Sequence, residues 1–109
     1  MNITHGLRRA LQIDPRRKEA RINLAESLLE SGRLGEALQE AADARRLAPD
    51  VAEAHAVLGN ALLAAGDPAA AAASYAEALR RNPGLVSARR GLEEAGRRAA
   101  VAAGAGAPR

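Results

Sequence analysis

The chain contains no cysteine, tryptophan or phenylalanine, and Tyr75 is its one aromatic residue. Without cysteine it cannot form a disulfide, a thiolate nucleophile, an iron–sulfur cluster or a Cys-ligated zinc site. Only His5 and His55 are available as histidine ligands or bases, and both are better explained by packing or solvent exposure. No glycine-rich phosphate loop is present. The sequence therefore predicts a protein that is not an enzyme and that holds no cofactor and no metal.

Long hydrophobic runs are also missing. No apolar stretch approaches the roughly 18 residues of a membrane span. Residues 1–15 lack the apolar core of a signal peptide, because Arg8, Arg9 and Asp14 interrupt them. These absences predict no membrane partner and a cytoplasmic location. Val and Ile, the usual strand formers, total seven against 29 Ala and 14 Leu, which form helices readily. The composition therefore predicts an all-α fold.

The positive charge is carried almost entirely by arginine. The formal net charge is +3, and fifteen of the sixteen basic residues are Arg. Pairs such as Arg45-Arg46 and Arg80-Arg81 come late in predicted helices, where a cation complements the helix dipole by about 0.3–1 kcal/mol. No aromatic side chains accompany them to stack on bases, so we expect no nucleic-acid partner. An arginine-driven binder of an anionic polymer stays open as a weaker alternative.

An internal repeat decides the fold class. Pro15, Pro49 and Pro83 are spaced 34 residues apart, and residues 18–51 share eleven identical positions with residues 52–85. The identities that carry weight in so alanine-rich a chain are those of leucine, glycine and proline, namely Leu24/Leu58, Leu28/Leu62, Leu29/Leu63, Gly32/Gly66 and Pro49/Pro83.

Each period has the pattern of a helical hairpin. From position 54 to position 65, apolar residues follow i, i+3, i+4 spacing. Asp50 is a candidate N-cap for this helix, and Gly66 can take the left-handed conformation that ends it. Asp67-Pro68 then starts a second helix, with Asp67 as the N-cap and Pro68 at the first helical position.

A helix–turn–helix period of 34 residues resembles the tetratricopeptide repeat. The second period matches the family pattern with His55 at the Trp position, followed by Leu58-Gly59, Leu62, Ala71, Tyr75, Ala78 and Pro83. The first period matches less closely, with Arg21, Leu24-Ala25, Leu28, Ala37, Ala41, Ala44 and Pro49. The resemblance implies helical hairpins stacked in a right-handed superhelix, an α-solenoid fragment. Ala44, Gly59, Ala71 and Ala78 are then expected where helices approach closely.

The resemblance also divides the chain. We predict a tetratricopeptide-repeat domain over residues 1–98 and a disordered tail over residues 99–109. The domain consists of a half repeat at 3–17, repeats at 18–51 and 52–85, and a polar capping helix at 86–98, in which Gly91 and Gly96 are expected to weaken the helix. The half repeat lacks its first helix, so its apolar face predicts self-association, or pairing with a longer chain.

By the same resemblance, the first helix of each hairpin lines a concave groove. The groove residues implied are Glu19, Ile22, Asn23, Glu26, Leu29, Glu30, Glu53, Val57, Asn60, Leu63 and Arg90. Four glutamates make it acidic, the apolar residues form its floor, and the two Asn amides can bind a peptide backbone. Ile22 and Ala56 stand where the chaperone-binding branch needs lysine, which argues against that subtype. Alternatively, the glutamates form only a solvated helix face.

Two functions follow from these expectations. The first is a protein–protein interaction scaffold that binds a basic, partly apolar peptide segment in its concave groove. The second is a regulatory or substrate-docking repeat segment of a larger enzyme, such as a glycosyltransferase or a methyltransferase.

Overall fold

The computed structural model describes residues 18–104, and every regular element in that range is an α-helix. The helices are α1 (Lys18–Glu30), α2 (Leu34–Leu47), α3 (Ala52–Ala64), α4 (Pro68–Arg81) and α5 (Val86–Ala102). Residues 18–104 contain no strand, and the all-α helical-repeat prediction is confirmed. In this range no helix is both long enough and apolar enough to pass through a membrane. The predicted half repeat at 3–17, with its self-association face, lies outside the described residues.

The helices end and begin at the turn residues that the sequence indicated. Gly32 has φ +77° and Gly66 has φ +85°, a left-handed conformation that favours glycine. The N–H of Arg33 donates to the Leu28 carbonyl at 2.8 Å, and the N–H of Asp67 to the Leu62 carbonyl at 3.0 Å. These bonds satisfy carbonyl groups in the last turns of α1 and α3. In each hairpin, the turn between the two helices is therefore closed by a hydrogen bond from the residue that follows the glycine.

The start of α4 also follows the sequence pattern. The Asp67 carboxylate accepts a hydrogen bond from the Ala70 N–H at 3.2 Å, and Pro68 is the first helical residue. The prediction for α3 is wrong, because Val51 rather than Asp50 is its N-cap and no side chain caps it. Pro49 and Asp50 form a turn in which the Val51 N–H donates to the Ala48 carbonyl at 3.1 Å. That turn places the helix boundary one residue later.

The last helix is longer than the sequence indicated. It continues to Ala102, so residues 99–102 are helical where a disordered tail was predicted. Alanine is the strongest helix former, and Gly104, with φ +82°, is the first residue after them in the left-handed conformation. Residues 105–109, the remainder of the predicted tail, are outside the described range.

The five helices pack as two antiparallel hairpins and a final single helix. Sequential helices contact one another, and α3 also contacts both α1 and α5. The helices α1, α3 and α5 therefore form one layer, while α2 and α4 form the other. Ala44, Ala71 and Ala78 are fully buried, as expected of small residues where helices approach closely. Since alanine buries little area, this core has few large side chains.

Tyr75 is the centre of the C-terminal part of the core. The residue is 1% exposed and packs with Ala56, Ala88 and Ala95 among others. Its ring lies against the backbones of Gly59 and Gly91. A Cβ atom at Gly59 would lie 2.8 Å from the ring, and one at Gly91 would lie 2.4 Å from it. Gly91, expected only to weaken the last helix, therefore makes room for the aromatic ring.

Candidate functional site

A cleft lies between α1 and the start of α3. Its volume is about 410 Å³, and it is lined by Glu19, Ile22, Asn23, Glu26, Val51 and Glu53. Five of these six residues were predicted for the groove. Residues 19, 22, 23 and 26 share one face of α1 because their spacing follows the helical period. The structure thus brings the first half of the predicted groove together.

Val51 is the cleft residue that the sequence reasoning missed. It precedes α3 and is half-buried against the core, outside the positions that the resemblance assigns to the groove. The one sequence feature that could have indicated Val51 is that an apolar residue directly follows the turn at Pro49-Asp50. Together with Ile22, which is 8% exposed, it makes the wall of the cleft apolar.

The carboxylates at the cleft differ from most others in the structure. Glu19, Glu26 and Glu53 are exposed, and none of the three forms an ion pair within residues 18–104. By contrast, Glu77 and Glu94 each hold two arginines. Arg81 Nε donates to Glu77 at 2.8 Å, and Arg98 Nε donates to Glu94 at 2.7 Å. The cleft therefore carries negative charge that no cation of the described chain neutralises.

Five arginines of these pairs, Arg46, Arg80, Arg81, Arg97 and Arg98, bind a carboxylate of their own helix. Hydrogen bonds from Arg80 and Arg81 hold the pKa of Glu77 below its usual value of 4.5. Hydrogen bonds from Arg97 and Arg98 do the same for the pKa of Glu94. Arg46 binds Asp43 at 2.9 Å. These arginines are therefore engaged within the fold, while their effect on the helix dipole stays a prediction.

The predicted apolar floor is only partly correct. Val57 is 1% exposed and packs among Ile22, Ala25 and Leu58, so it cannot contact a ligand. It is buried because α3 turns this face towards α1, a contact that the helical period of α3 does not reveal. The prediction that Val57 lines the groove is therefore wrong.

The other predicted groove residues lie outside the cleft. Leu29 is half-buried against the α1–α2 core, and Glu30 is exposed at the end of α1. Leu63 is half-buried against the cluster around Tyr75, and Arg90 is exposed on α5. Their part in ligand binding stays a prediction.

Asn60 extends the predicted groove along α3. Asn60 is exposed, and its Oδ1 accepts a hydrogen bond from the Tyr75 hydroxyl at 2.5 Å. Burial raises the pKa of Tyr75 above its ordinary value of 10.0, and the positive charge of Arg98 opposes that shift. The sequence reasoning identified both residues but not the bond between them.

His55 has a packing role. The residue is 6% exposed, and its Nε2–H donates to the Pro49 carbonyl at 2.7 Å. His5 lies outside the described residues. Within residues 18–104, no three His, Asp or Glu side chains come together in a way that could hold a metal ion.

The geometry defines a class of protein, a helical-repeat stack with an acidic cleft between the first helices of neighbouring hairpins. Residues 6–52, 22–86 and 57–97 match the family model described as Tetratricopeptide repeat. The chain belongs to the tetratricopeptide repeat family. Repeats of this family generally mediate protein–protein interaction and are not catalytic. A search of the curated proteins found no match to the chain.

Solved structures share the fold. MamA has 22% identity and a TM-score of 0.76, with 84% of this chain and 54% of MamA covered. An O-GlcNAc transferase mutant from Thermobaculum terrenum has 34% identity and a TM-score of 0.78, with 84% of this chain and 18% of the transferase covered. The first tetratricopeptide repeat domain of Spaghetti, bound to the HSP90 peptide SRMEEVD, has 18% identity and a TM-score of 0.83, with 89% and 77% covered. The chain thus spans about half of MamA and less than a fifth of the transferase.

Proposed function

We propose that this chain is a protein–protein interaction module that binds a basic, partly apolar peptide segment in the cleft between α1 and α3. The observation that carries the proposal is the combination of an apolar wall, Ile22 and Val51, with three carboxylates at its rim that form no ion pair with residues 18–104. Lysine or arginine side chains of a ligand would meet Glu19, Glu26 and Glu53, while its apolar side chains would lie against the wall.

The expected affinity is low. Exposed charge pairs contribute only about 0–1 kcal/mol each, because water and salt screen them. The apolar contact must therefore provide much of the binding free energy, at about 25 cal/mol per Å² removed from water. Two hairpins offer a small interface, so we expect a dissociation constant on the order of micromolar or weaker.

The same charge argument excludes one kind of ligand. The HSP90 peptide bound by Spaghetti, SRMEEVD, contains three acidic residues. An acidic peptide of this kind would be repelled by the glutamates of the cleft. It therefore serves as a negative control for binding.

The test uses a fluorescently labelled heptapeptide of alternating Lys and Leu, with SRMEEVD as the control peptide, and measures fluorescence anisotropy. We expect the Lys–Leu peptide to bind and the acidic peptide not to bind. Replacing Glu19, Glu26 and Glu53 by Gln should weaken binding, and Val51→Ala should weaken it further. Glu93→Gln removes an exposed carboxylate outside the cleft and should change nothing. If neither the triple variant nor Val51→Ala changes the affinity, the cleft is not the binding surface.

A second function is supported by the likeness to the transferase. The 34% identity extends over 84% of this chain, although that region is only 18% of the transferase. On this alternative, the repeats are a regulatory or substrate-docking segment of a larger enzyme. Measuring the mass of the native protein from its source cell distinguishes the two functions, since a polypeptide of only 109 residues contradicts the alternative.

A further inference from the structure

We infer that Tyr75 is a positioning residue for the groove, because its hydroxyl orients the Asn60 amide so that the NH₂ group is presented to a bound segment. The inference rests on the proposed function only in the final step, where the oriented amide donates to a carbonyl oxygen of the ligand. The orientation itself is a property of the free protein and can be tested without any ligand.

Asn60 lies on the ligand side of α3. It follows Glu53 by seven residues, which is about two helical turns, so the two side chains share one face of the helix. Glu53 lines the cleft, and Asn60 is exposed further along the same face. A segment that leaves the cleft along α3 therefore passes Asn60.

The hydrogen bond determines which end of the amide is free. The Tyr75 hydroxyl donates to Asn60 Oδ1 at 2.5 Å, and within residues 18–104 Asn60 is its hydrogen-bond partner. If the amide were reversed, its NH₂ would face the hydroxyl, and the buried hydroxyl hydrogen would lose its acceptor. The observed orientation directs Oδ1 towards Tyr75 and leaves the two N–H donors for a ligand.

The donor hydroxyl is itself held in place. Tyr75 is 1% exposed, and its ring lies so close to the backbones of Gly59 and Gly91 that a Cβ atom at either position would collide with it. A buried ring packed this closely keeps its hydroxyl near one position, so the orientation of Asn60 is maintained before a ligand arrives. A preorganised donor binds more tightly because the ligand does not have to restrict it.

This arrangement has a consequence for recognition. A free asparagine side chain offers both donors and an acceptor to a ligand. The Tyr75 hydroxyl takes one of the two lone pairs of Oδ1 and turns this oxygen towards α4, so Asn60 offers a ligand chiefly its two N–H donors. Every peptide backbone supplies an acceptor for them in its carbonyl group. The site would therefore bind an extended segment through its backbone and leave side-chain selectivity to the acidic cleft.

The first test compares the free protein with Tyr75→Phe, which keeps the ring and removes the hydroxyl. Nuclear magnetic resonance observes the side-chain NH₂ group of Asn60 directly. We expect an ordered amide in the unaltered chain and a mobile one in the variant. The NH₂ group of Asn23, which has no contact with Tyr75, should be the same in both. An Asn60 amide that is equally ordered in both proteins would overturn the inference.

The second test measures whether Tyr75 acts through Asn60. With the Lys–Leu heptapeptide as probe, Tyr75→Phe should weaken binding about two- to tenfold, the range expected for one hydrogen bond. In a chain that already carries Asn60→Ala, the same substitution should have no effect, because the group that it positions is absent. Equal losses in the two backgrounds would show that Tyr75 acts on binding by another route.

The two proposals fail in different ways. If the Lys–Leu peptide does not bind the unaltered chain, the proposed function fails, while the resonance measurement still decides the orientation of Asn60. If Tyr75→Phe does not fold, the unaltered chain provides the decisive measurement, which is an exchange-protected Tyr75 hydroxyl proton. A hydroxyl proton that exchanges as fast as in a free tyrosine would overturn the inference.

Discussion

Two glycines of α5 have the same helical backbone but different surroundings. A Cβ atom at Gly91 would lie 2.4 Å from the Tyr75 ring, whereas one at Gly96 would meet nothing within 4 Å. Close packing of an aromatic ring, rather than backbone conformation, therefore explains Gly91. Gly96 leaves the helix weaker than alanine would, with no packing advantage in return.

This difference gives a matched pair of variants. Gly91→Ala should lower the free energy of unfolding by about 1–3 kcal/mol, because the new methyl group collides with the enclosed ring. Gly96→Ala should raise it by up to about 1 kcal/mol, because alanine is the better helix former. Urea unfolding measures both. If the two substitutions change stability in the same direction, the ring does not lie against α5 as described.

Tyr75 also offers a direct titration, because it is the one tyrosine of the chain. Its pKa is raised above 10.0 by burial in the folded protein, so the folded state disfavours the phenolate. The neutral, buried phenol of Tyr75 therefore contributes to the stability of the folded state. This contribution is complete below the unfolded pKa of about 10 and is lost as the pH rises through the folded pKa.

We expect the tyrosinate absorbance of the folded chain to rise at higher pH than that of the urea-unfolded chain. The midpoint of urea unfolding should also fall as the pH is raised through this range. Tyrosinate absorbance that follows the same curve in the folded and unfolded chains would contradict the burial of the ring.

At the scale of the helices, α3 and α5 each hold the turn that precedes them through a side-chain hydrogen bond to a proline carbonyl. His55 Nε2 donates to the Pro49 carbonyl at 2.7 Å, and Arg89 Nη2 donates to the Pro83 carbonyl at 3.0 Å. The two donors, His55 and Arg89, are 34 positions apart, and so are the two acceptors, Pro49 and Pro83. Different side chains therefore make an equivalent hydrogen bond in successive repeats. The bond connects the end of one hairpin with the first helix of the next.

The recurrence predicts which substitutions position 55 tolerates. His55→Ala should lower the free energy of unfolding by about 0.5–1.5 kcal/mol for the hydrogen bond, with a further loss from the packing of the buried ring. His55→Arg copies the side chain that the next repeat uses and should retain more stability than His55→Ala. Thermal unfolding compares them. An alanine variant as stable as the arginine variant would show that the carbonyl contact does not support the turn.

Local signals explain which helix boundaries the sequence predicts. Gly66 and the Asp67-Pro68 pair act on the backbone within a few residues, and both predictions based on them agree with the structure. The prediction for Asp50 is wrong, because a turn hydrogen bond between Ala48 and Val51 shifted the start of α3. No residue type at position 50 reveals that bond.

At the candidate site, too, features within one helix are predictable from the sequence and contacts between helices are not. Helical periodicity predicts that Glu19, Ile22, Asn23 and Glu26 lie together, because all four belong to α1. Periodicity within α3 does not predict that Val57 is buried, because its burial depends on how α3 packs against α1. Nor does it predict the bond between Tyr75 and Asn60, which joins two helices across 15 positions. The sequence thus predicts which residues share a helix face, whereas the stacking of the hairpins decides which helix faces are exposed to solvent.

The stacked arrangement of the hairpins limits how far a local change is transmitted. Helix α5 contacts α3 and α4, but it has no contact with α1 or α2. In such a stack, stability is approximately a sum of the repeats and the interfaces between neighbours. Loss of one terminal helix should therefore weaken the adjoining hairpin more than the distant one.

A chain that ends after Gly84 lacks α5 and tests this expectation. Its loss uncovers Tyr75, which packs with Ala88 and Ala95 of that helix. Amide hydrogen exchange should become faster in α3 and α4, while α1 and α2 should keep most of their protection, since none of their contacts is removed. A chain that ends after Gly104 retains α5 and serves as the control. Equal loss of protection in all four remaining helices would mean that the stack unfolds as one cooperative unit, and that its interfaces outweigh the stability of the single hairpins.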